Sequence, residues 1–467
     1  MEMKNLFKSE RLHLVLIVVF GFILYFYILT RHTLVYGVDG PYYLIQVRSI
    51  LERGGMKYDD PPLALYIFTL FTLLFGGNIT LGVKVGTALF SALSAVPFHF
   101  WVKKAAKSQI SGYLAAVACI LSPLHLLLMN NYLKMVVGAF FLLCFLYYLH
   151  CMLTEKRGIR TLIMATLFLA LTGVTHAIVF LIAFLFLALY AIVFRLSLES
   201  QKEVMRNLEI LLFVTFFFII IAPLLFPFFF KDFYQALDIA ISPFYRFRPP
   251  TVSSSNIISR FLLDHMSGAA VLAAIIFGVA LWIYERRAGK KEAVLALAPV
   301  TVVGILLLTP FTPVEWVWRF LYMEFITTAF VLGYGFTKIP RKTMVLAGVL
   351  FLCFSPIIVQ SVNASKTLMP TIGMADYHEI EEMKQYIPSR SVIIANPYYS
   401  YWVEYVTGED TAAMFSPAIF QYEHILILVD KLFPPPTTPN ATKIFEGRRF
   451  TVYEIEIGPP QPSQGVN

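Results

Sequence analysis

The sequence predicts a polytopic α-helical membrane protein of about eleven transmembrane helices with a small C-terminal α/β external domain. Three observations lead there. Apolar residues make up 58% of the 467-residue chain and charged residues only 14%, whereas soluble domains carry roughly 45–50% and 25%. Uncharged runs such as 12–29 and 210–230 are long enough to cross a bilayer, which takes roughly 18–20 residues. Finally, charge is segregated: from Ser361 onward there are 7 basic and 12 acidic residues, although the whole chain is +8. These figures exclude a soluble globular protein, a disordered chain and a secreted disulfide scaffold. The four cysteines, Cys119, Cys144, Cys151 and Cys353, all lie in apolar runs and cannot staple loops.

The expected spans are 12–29, 85–102, 112–129, 135–153, 161–174, 177–194, 210–230, 268–284, 294–308, 320–336 and 345–358. The apolar run 63–75 is too short for a span and reads as a helix lying in the interface. Charge parity supports leaving it out. The N-terminus and the loops bearing Lys103, Lys104 and Lys107, Arg195 and Arg206, Arg286 to Lys291, and Lys338 to Lys342 then fall on one side, the cytoplasmic one by the positive-inside rule. The basic excess is therefore a topology signal and requires no nucleic-acid partner. The uncharged stretch 161–194 has basic loops at both ends, so it must turn back on itself, and Thr172 to His176 is its plausible turn. The expected location is the cell (plasma) membrane, with the N-terminus cytoplasmic and the tail external. The expected domains are 1–360, transmembrane, and 361–467, soluble.

Outside the membrane, the first loop should hold two juxtamembrane helices. One is amphipathic: it enters through Gly40-Pro41, places Tyr43, Val47, Ile50 and Leu51 on one arc, and ends at Gly54-Gly55. Pro61-Pro62 opens the second. In the tail, 374–386 and 399–406 read as helices, and 391–395, 424–429 and 450–457 as strands.

Asp39 lies just beyond the first span, in the string Val35-Tyr36-Gly37-Val38-Asp39-Gly40-Pro41-Tyr42-Tyr43. By position it is either a helix-initiating residue or a carboxylate held at the membrane surface as a general base or metal ligand. The string, followed by Arg48 and a leucine-rich amphipathic helix ending in glycine, resembles the first loop of GT-C glycosyltransferases. The likeness is to archaeal membrane glycosyltransferases and, more distantly, to oligosaccharyltransferase catalytic subunits. It implies a catalytic Asp39, an external active site and a polyprenyl (dolichyl) phosphate-linked sugar donor, since nucleotide sugars are cytoplasmic. The acceptor would be a lipid, glycan or protein, and membrane lipids would surround the chain. A divalent metal at Asp39 is left open, because Gln46-Val47-Arg48 lacks the His that the family places before Arg. The tail also lacks the Trp-Trp-Asp-Tyr-Gly motif of oligosaccharyltransferases; its nearest string is Ser400-Tyr401-Trp402-Val403-Glu404-Tyr405.

Such a donor needs cations for the departing phosphate. Arg319, with Glu315 one turn earlier, leads the candidates, ahead of Lys134, Arg48, Lys57 and Arg246. His176, Asn130 and Asn131 fall on the same expected side, and Asp59 and Asp60 are candidate acceptor or metal contacts. Glu324 lies within a span with no compensating charge nearby in sequence. The rival reading is a transporter or flippase for a lipid-linked or polar solute. That reading calls for mid-membrane charges and repeat symmetry, and the sequence shows no internal repeat.

Overall fold

The computed structural model describes residues 9–155, 158–197, 202–225, 252–310, 312, 314–339, 343–432 and 441–455. In chain order the helices are α1 (Glu10–Thr30), α2 (Gly40–Arg53), α3 (Leu63–Leu74), α4 (Ile79–Leu93), α5 (Ala95–Ala106), α6 (Gln109–Leu121), α7 (Pro123–Asn131) and α8 (Leu133–Thr154). They continue as α9 (Gly158–Gly173), α10 (Ala177–Ser197), α11 (Lys202–Leu225), α12 (Val252–Asp264), α13 (Met266–Arg287), α14 (Lys291–Leu307), α15 (Val314–Met323), α16 (Phe325–Gly335) and α17 (Thr343–Thr367). The tail adds α18 (Met374–Met383) and α19 (Ser400–Thr407), with strands β1 (Ser391–Ile394), β2 (Asp410–Ala412), β3 (His424–Asp430), β4 (Ala441–Glu446) and β5 (Phe450–Ile455). A helical membrane protein with a small α/β sheet domain is thus what the chain forms.

The chain divides into two compact units: Met1–Arg31 with Tyr58–Leu368, and His32–Lys57 with Met369–Asn467. In the first, seven described helical segments are long and apolar enough to cross a bilayer, or eight if the bent pair α6 and α7 is one span. The sequence count of eleven adds α9, α14 and α17. The bend between α6 and α7 is 42°. Pro123 causes it, because a proline has no N–H to give and crowds the preceding turn. The uncharged stretch 161–194 is broken where the turn is expected: α9 stops at Gly173 and α10 starts at Ala177.

Aromatic side chains fill the centre of this unit. Trp101 is fully buried, donates from Nε1 to the Tyr190 hydroxyl at 3.1 Å, and meets Phe330 at a ring distance of 4.6 Å. Tyr25 on α1 reaches the Ile120 carbonyl at the end of α6 at 2.7 Å. The short helix α3 crosses α4 closely because α4 carries glycine at 82 and 86, a small-xxx-small spacing. A Cβ on Gly82 would stand 2.5 Å from the Thr72 backbone, and one on Gly86 would stand 2.9 Å from the Phe68 ring.

The second unit is built on a five-stranded sheet in the order β2-β1-β3-β5-β4. β1 runs parallel to β2 and β3, while β5 runs antiparallel to β3 and β4. Six of the seven residues of β3 are buried, as expected for a continuous apolar central strand. A core of Val392, Ile419 and Ile425 packs on one face. Arg449 ties the sheet to α18, bonding Asp376 and Asp430 at 2.7 Å each, while the Arg449 and Phe450 amides share Glu379. The first-loop helix α2 belongs to this unit. The Gly37 amide bonds the Met369 carbonyl at 3.1 Å, and Gly37 takes φ of +69°, a conformation glycine adopts without strain.

Gly82→Ala should destabilise the helical unit by about 1–3 kcal/mol, because the obstacle is backbone that cannot rotate away. Thermal unfolding in detergent would show this as a lowered midpoint. Gly55→Ala, whose Cβ meets nothing within 4 Å, should leave the midpoint nearly unchanged.

Candidate active site

The helical unit gathers four of the expected site residues. Asp60, just before α3, and Lys134, in the first turn of α8, form an ion pair, and both are buried. The α9–α10 turn joins them, since the Val174 carbonyl accepts from the Leu63 amide at 3.0 Å. His176 closes that turn and is 9% exposed. Its Nδ1 accepts from the Ile178 amide at 3.2 Å, so a neutral ring carries its proton on Nε2. Burial, with the charges of Lys134 and Arg319, pushes the imidazole well below its ordinary 6.5 and keeps it neutral.

Arg319 completes the group. Its guanidinium lies 4.5 Å from the Trp316 ring centre and 5.0 Å from that of Tyr132. Aromatic faces hold a guanidinium without consuming its N–H donors. The Nε donor is buried and makes no hydrogen bond. Two residues before Tyr132, the Asn130 side-chain oxygen, in the last turn of α7, is also buried and unsatisfied. A buried donor with no acceptor is costly, and an anion arriving there would relieve that cost. Asn131 ends α7, and Asp59 is exposed. The Glu315 side chain and Arg246 lie outside the described residues.

In the second unit, Asp39 caps the N-terminus of α2 without a side-chain capping bond and is half-buried. The two cations expected nearby are already engaged. Arg48 donates to the Tyr405 carbonyl at 2.5 Å and stacks 3.8 Å from its ring centre. Lys57 pairs with Glu404 at 2.8 Å and Asp410 at 2.6 Å, and its amide bonds Gln46 Oε1 at 2.9 Å. Asp410 also accepts from the Tyr422 hydroxyl at 2.6 Å. The string from Ser400 to Tyr405, noted for its faint likeness to a catalytic motif, supplies two of these anchors. Among the described residues, no group of three or more His, Cys, Asp or Glu is gathered to hold a metal ion.

A family model described as "6-pyruvoyl-tetrahydropterin synthase related domain; membrane protein" matches residues 60–368. The chain belongs to that family. The matched region lies within the helical unit and includes Asp60, Lys134, His176 and Arg319. No curated protein matches this pterin-synthase-related membrane chain in sequence. Solved structures do match it in fold. The oligosaccharyltransferase of Archaeoglobus fulgidus, in a complex with Zn and sulfate, superposes with a TM-score of 0.62 at 15% identity, over 86% of this chain and 62% of its own. The chain thus spans about three fifths of that enzyme's length. ArnT from Cupriavidus metallidurans, in the apo state, superposes with a TM-score of 0.63 at 10% identity, over 94% of this chain and 97% of its own. The chain therefore shares the GT-C membrane fold with these structures.

Lys84 escapes a sequence reading because it falls one residue before an expected span and looks like a loop charge. It is buried in α4 at 5% exposure. Its position among the apolar residues of a helix is the signal that could have singled it out.

The Lys57 cluster fixes a pH response. Burial raises the Asp410 carboxyl, but hydrogen bonds from Lys57 and Tyr422, with the Lys57 charge, outweigh it and hold the group below its ordinary 3.8. Burial likewise lowers Lys57, and its two carboxylates outweigh that to raise it above 10.5. A depressed acid stabilises the fold above its unfolded value and loses that contribution as pH falls through the folded one. A raised base stabilises it below its unfolded value and loses that contribution as pH rises through the folded one. Hydrogen exchange across 400–412, corrected for intrinsic rate, should therefore accelerate below about pH 4 and above about pH 10.5. Asp410→Asn should remove most of the acid-side response; an unchanged response would assign it elsewhere.

Proposed function

We propose that the chain is an inverting GT-C glycosyltransferase. It moves a sugar from a polyprenyl (dolichyl-type) phosphate to an acceptor hydroxyl at the external face of the cell membrane, with Asp39 as general base. The observation that carries this reading is Arg319, a guanidinium held by two aromatic rings with its Nε donor buried and unpaired. Lys134 and the neutral His176 stand close enough to exchange electrostatic influence with it or with each other. A group of this kind suits a phosphate whose charge grows as the glycosidic bond breaks.

Two structures of the same fold support the lipid carrier. The Archaeoglobus enzyme has been solved with a dolichol phosphate and an inhibitory peptide, and the Cupriavidus ArnT with undecaprenyl phosphate. An apolar cavity of about 600 Å³ in the helical unit, bordered by Phe277, Leu332, Phe336, Leu352 and Ile357, is our candidate for the prenyl chain.

In the proposed step, the acceptor oxygen attacks the anomeric carbon from the face opposite the phosphate. Its proton passes to the Asp39 carboxylate. The carbon–oxygen bond to phosphate breaks with its electron pair, giving polyprenyl phosphate with one further negative charge and a product of inverted configuration. Arg319 stabilises the added charge directly, the Asp60-paired Lys134 stands behind it, His176 can donate from Nε2, and the proton on Asp39 returns to solvent. Asp39 stands at the N-terminus of α2 with no side-chain capping bond.

Purified protein and radiolabelled polyprenyl-phosphate sugars provide the test. Asp39→Asn should lower turnover by about 10² to 10⁴, the usual range for a lost general base, with thermal unfolding unchanged. Arg319→Gln should lower turnover by about 10²–10³. Full turnover by both variants would refute the assignment. Asp60→Asn is a structural contrast: it strands Lys134 in a buried site and should cost about 3–5 kcal/mol of stability.

A further inference from the structure

A second charged cavity lies in the helical unit, lined by residues of α10, α13 and α14 and the short turn between the last two. It holds about 300 Å³. Trp282 and Arg286, four residues apart, share one face of α13. Gly289, at φ of +70°, reverses the chain, and Lys290, Lys291 and Val294 form the facing wall. Val193 and Leu196 of α10 close the third side.

The walls divide by chemistry. Val193, Leu196, Val294 and the Trp282 ring are apolar, while Arg286, Lys290 and Lys291 are exposed cations, and no carboxylate lines the cavity. The carboxylates closest in sequence are committed elsewhere. Glu285 is fully buried and takes Lys338, the Tyr334 hydroxyl at 3.0 Å and Lys290 at 3.3 Å. Glu292 pairs with Lys107 at 2.6 Å. Among the described residues, Arg286 and Lys291 make no ion pair. Two uncommitted cations above an apolar wall, beside α10 and α13, each long and apolar enough to span a bilayer, match a phosphate group attached to an acyl chain.

We propose that this cavity binds the phosphate of an anionic membrane lipid, with the lipid's first methylenes against Trp282, Leu196 and Val294. Arg286 grips two phosphate oxygens through its planar fork, and Lys291 supplies a point charge. The apolar wall favours a lipid headgroup over free phosphate. The site makes no use of the sugar donor.

The test is lipid retention by the full chain reconstituted in nanodiscs of phosphatidylglycerol and phosphatidylcholine, read by native mass spectrometry. The wild type should retain phosphatidylglycerol preferentially. Arg286→Gln with Lys291→Gln should reduce that preference by about thirtyfold, given the usual contribution of each basic residue near an anionic surface. Arg286→Lys with Lys291→Arg should keep most of it, which separates charge from misfolding. Brominated phosphatidylglycerol should quench more tryptophan emission in the wild type than in Trp282→Phe. Equal retention of both lipids, or a preference that survives the double Gln change, would overturn the site. Inorganic phosphate at millimolar concentration competing away the bound lipid would overturn the lipid assignment in favour of a free anion.

Discussion

An ion inside hydrocarbon must be paired, wrapped or brought to an edge, and this constraint orders the helical unit. Its charges meet it in different ways. Glu10 takes His99 and Lys103, both at 2.7 Å. Glu285 takes Lys338 and Lys290, and Asp60 takes Lys134. Arg319 is wrapped by rings instead. The distinction bears on function. An ion pair of two buried side chains is already satisfied, and opening it costs several kcal/mol. A guanidinium between aromatic faces keeps its donors available, so Arg319 is poised for an anion in a way that Lys134 is not.

The same logic applied to the sheet unit leads to the opposite use of charge. Arg48 and Lys57 are spent on Tyr405, Glu404 and Asp410. They fasten α2 to α19 and β2, and so fix the helix whose N-terminus carries Asp39. Glu404, 2% exposed, also accepts from the Thr411 hydroxyl at 3.1 Å, so the contact is hydrogen-bonded as well as charged. A general base must be held rigidly to be useful. On the proposed function, these residues serve catalysis by positioning a carboxylate without touching substrate.

How much of this the sequence discloses follows from the range of each signal. Long apolar runs are local, so most expected spans reappear as helices, and a helix break falls within Thr172 to His176. The two juxtamembrane helices are legible because Gly40-Pro41, Gly54 and Pro61-Pro62 punctuate them. Prolines mark both helix interruptions nearby: Pro123 follows the bend at Ser122, and Pro97, which cannot donate to the Leu93 carbonyl, follows the division between α4 and α5 at Ser94. β2 has three residues and β4 carries Lys443 and Glu446 among its six, so neither shows a strand pattern. Pairings between distant segments are the least visible. Nothing in the composition of either segment says that Lys57 meets Glu404, or that Asp60 takes up Lys134.

Glu324 stands apart from these paired charges. It stands at the break between α15 and α16, fully buried, and neither carboxylate oxygen makes a hydrogen bond. α14 makes room for it: a Cβ on Gly304 would come within 3.3 Å of its Oε2. The Glu324 carbonyl is satisfied, accepting the first bond of α16 from the Thr328 amide at 3.0 Å and a second from its hydroxyl at 2.9 Å. The carboxyl has no such account. Packing alone would favour an apolar side chain of the same size, because burying an unpaired polar group costs stability. The interruption it marks lies five residues beyond Arg319, within a segment that is apolar and long enough to cross a bilayer as one span. A buried ionisable residue kept inside a membrane helix at a cost in stability is the pattern of a position retained for something other than packing.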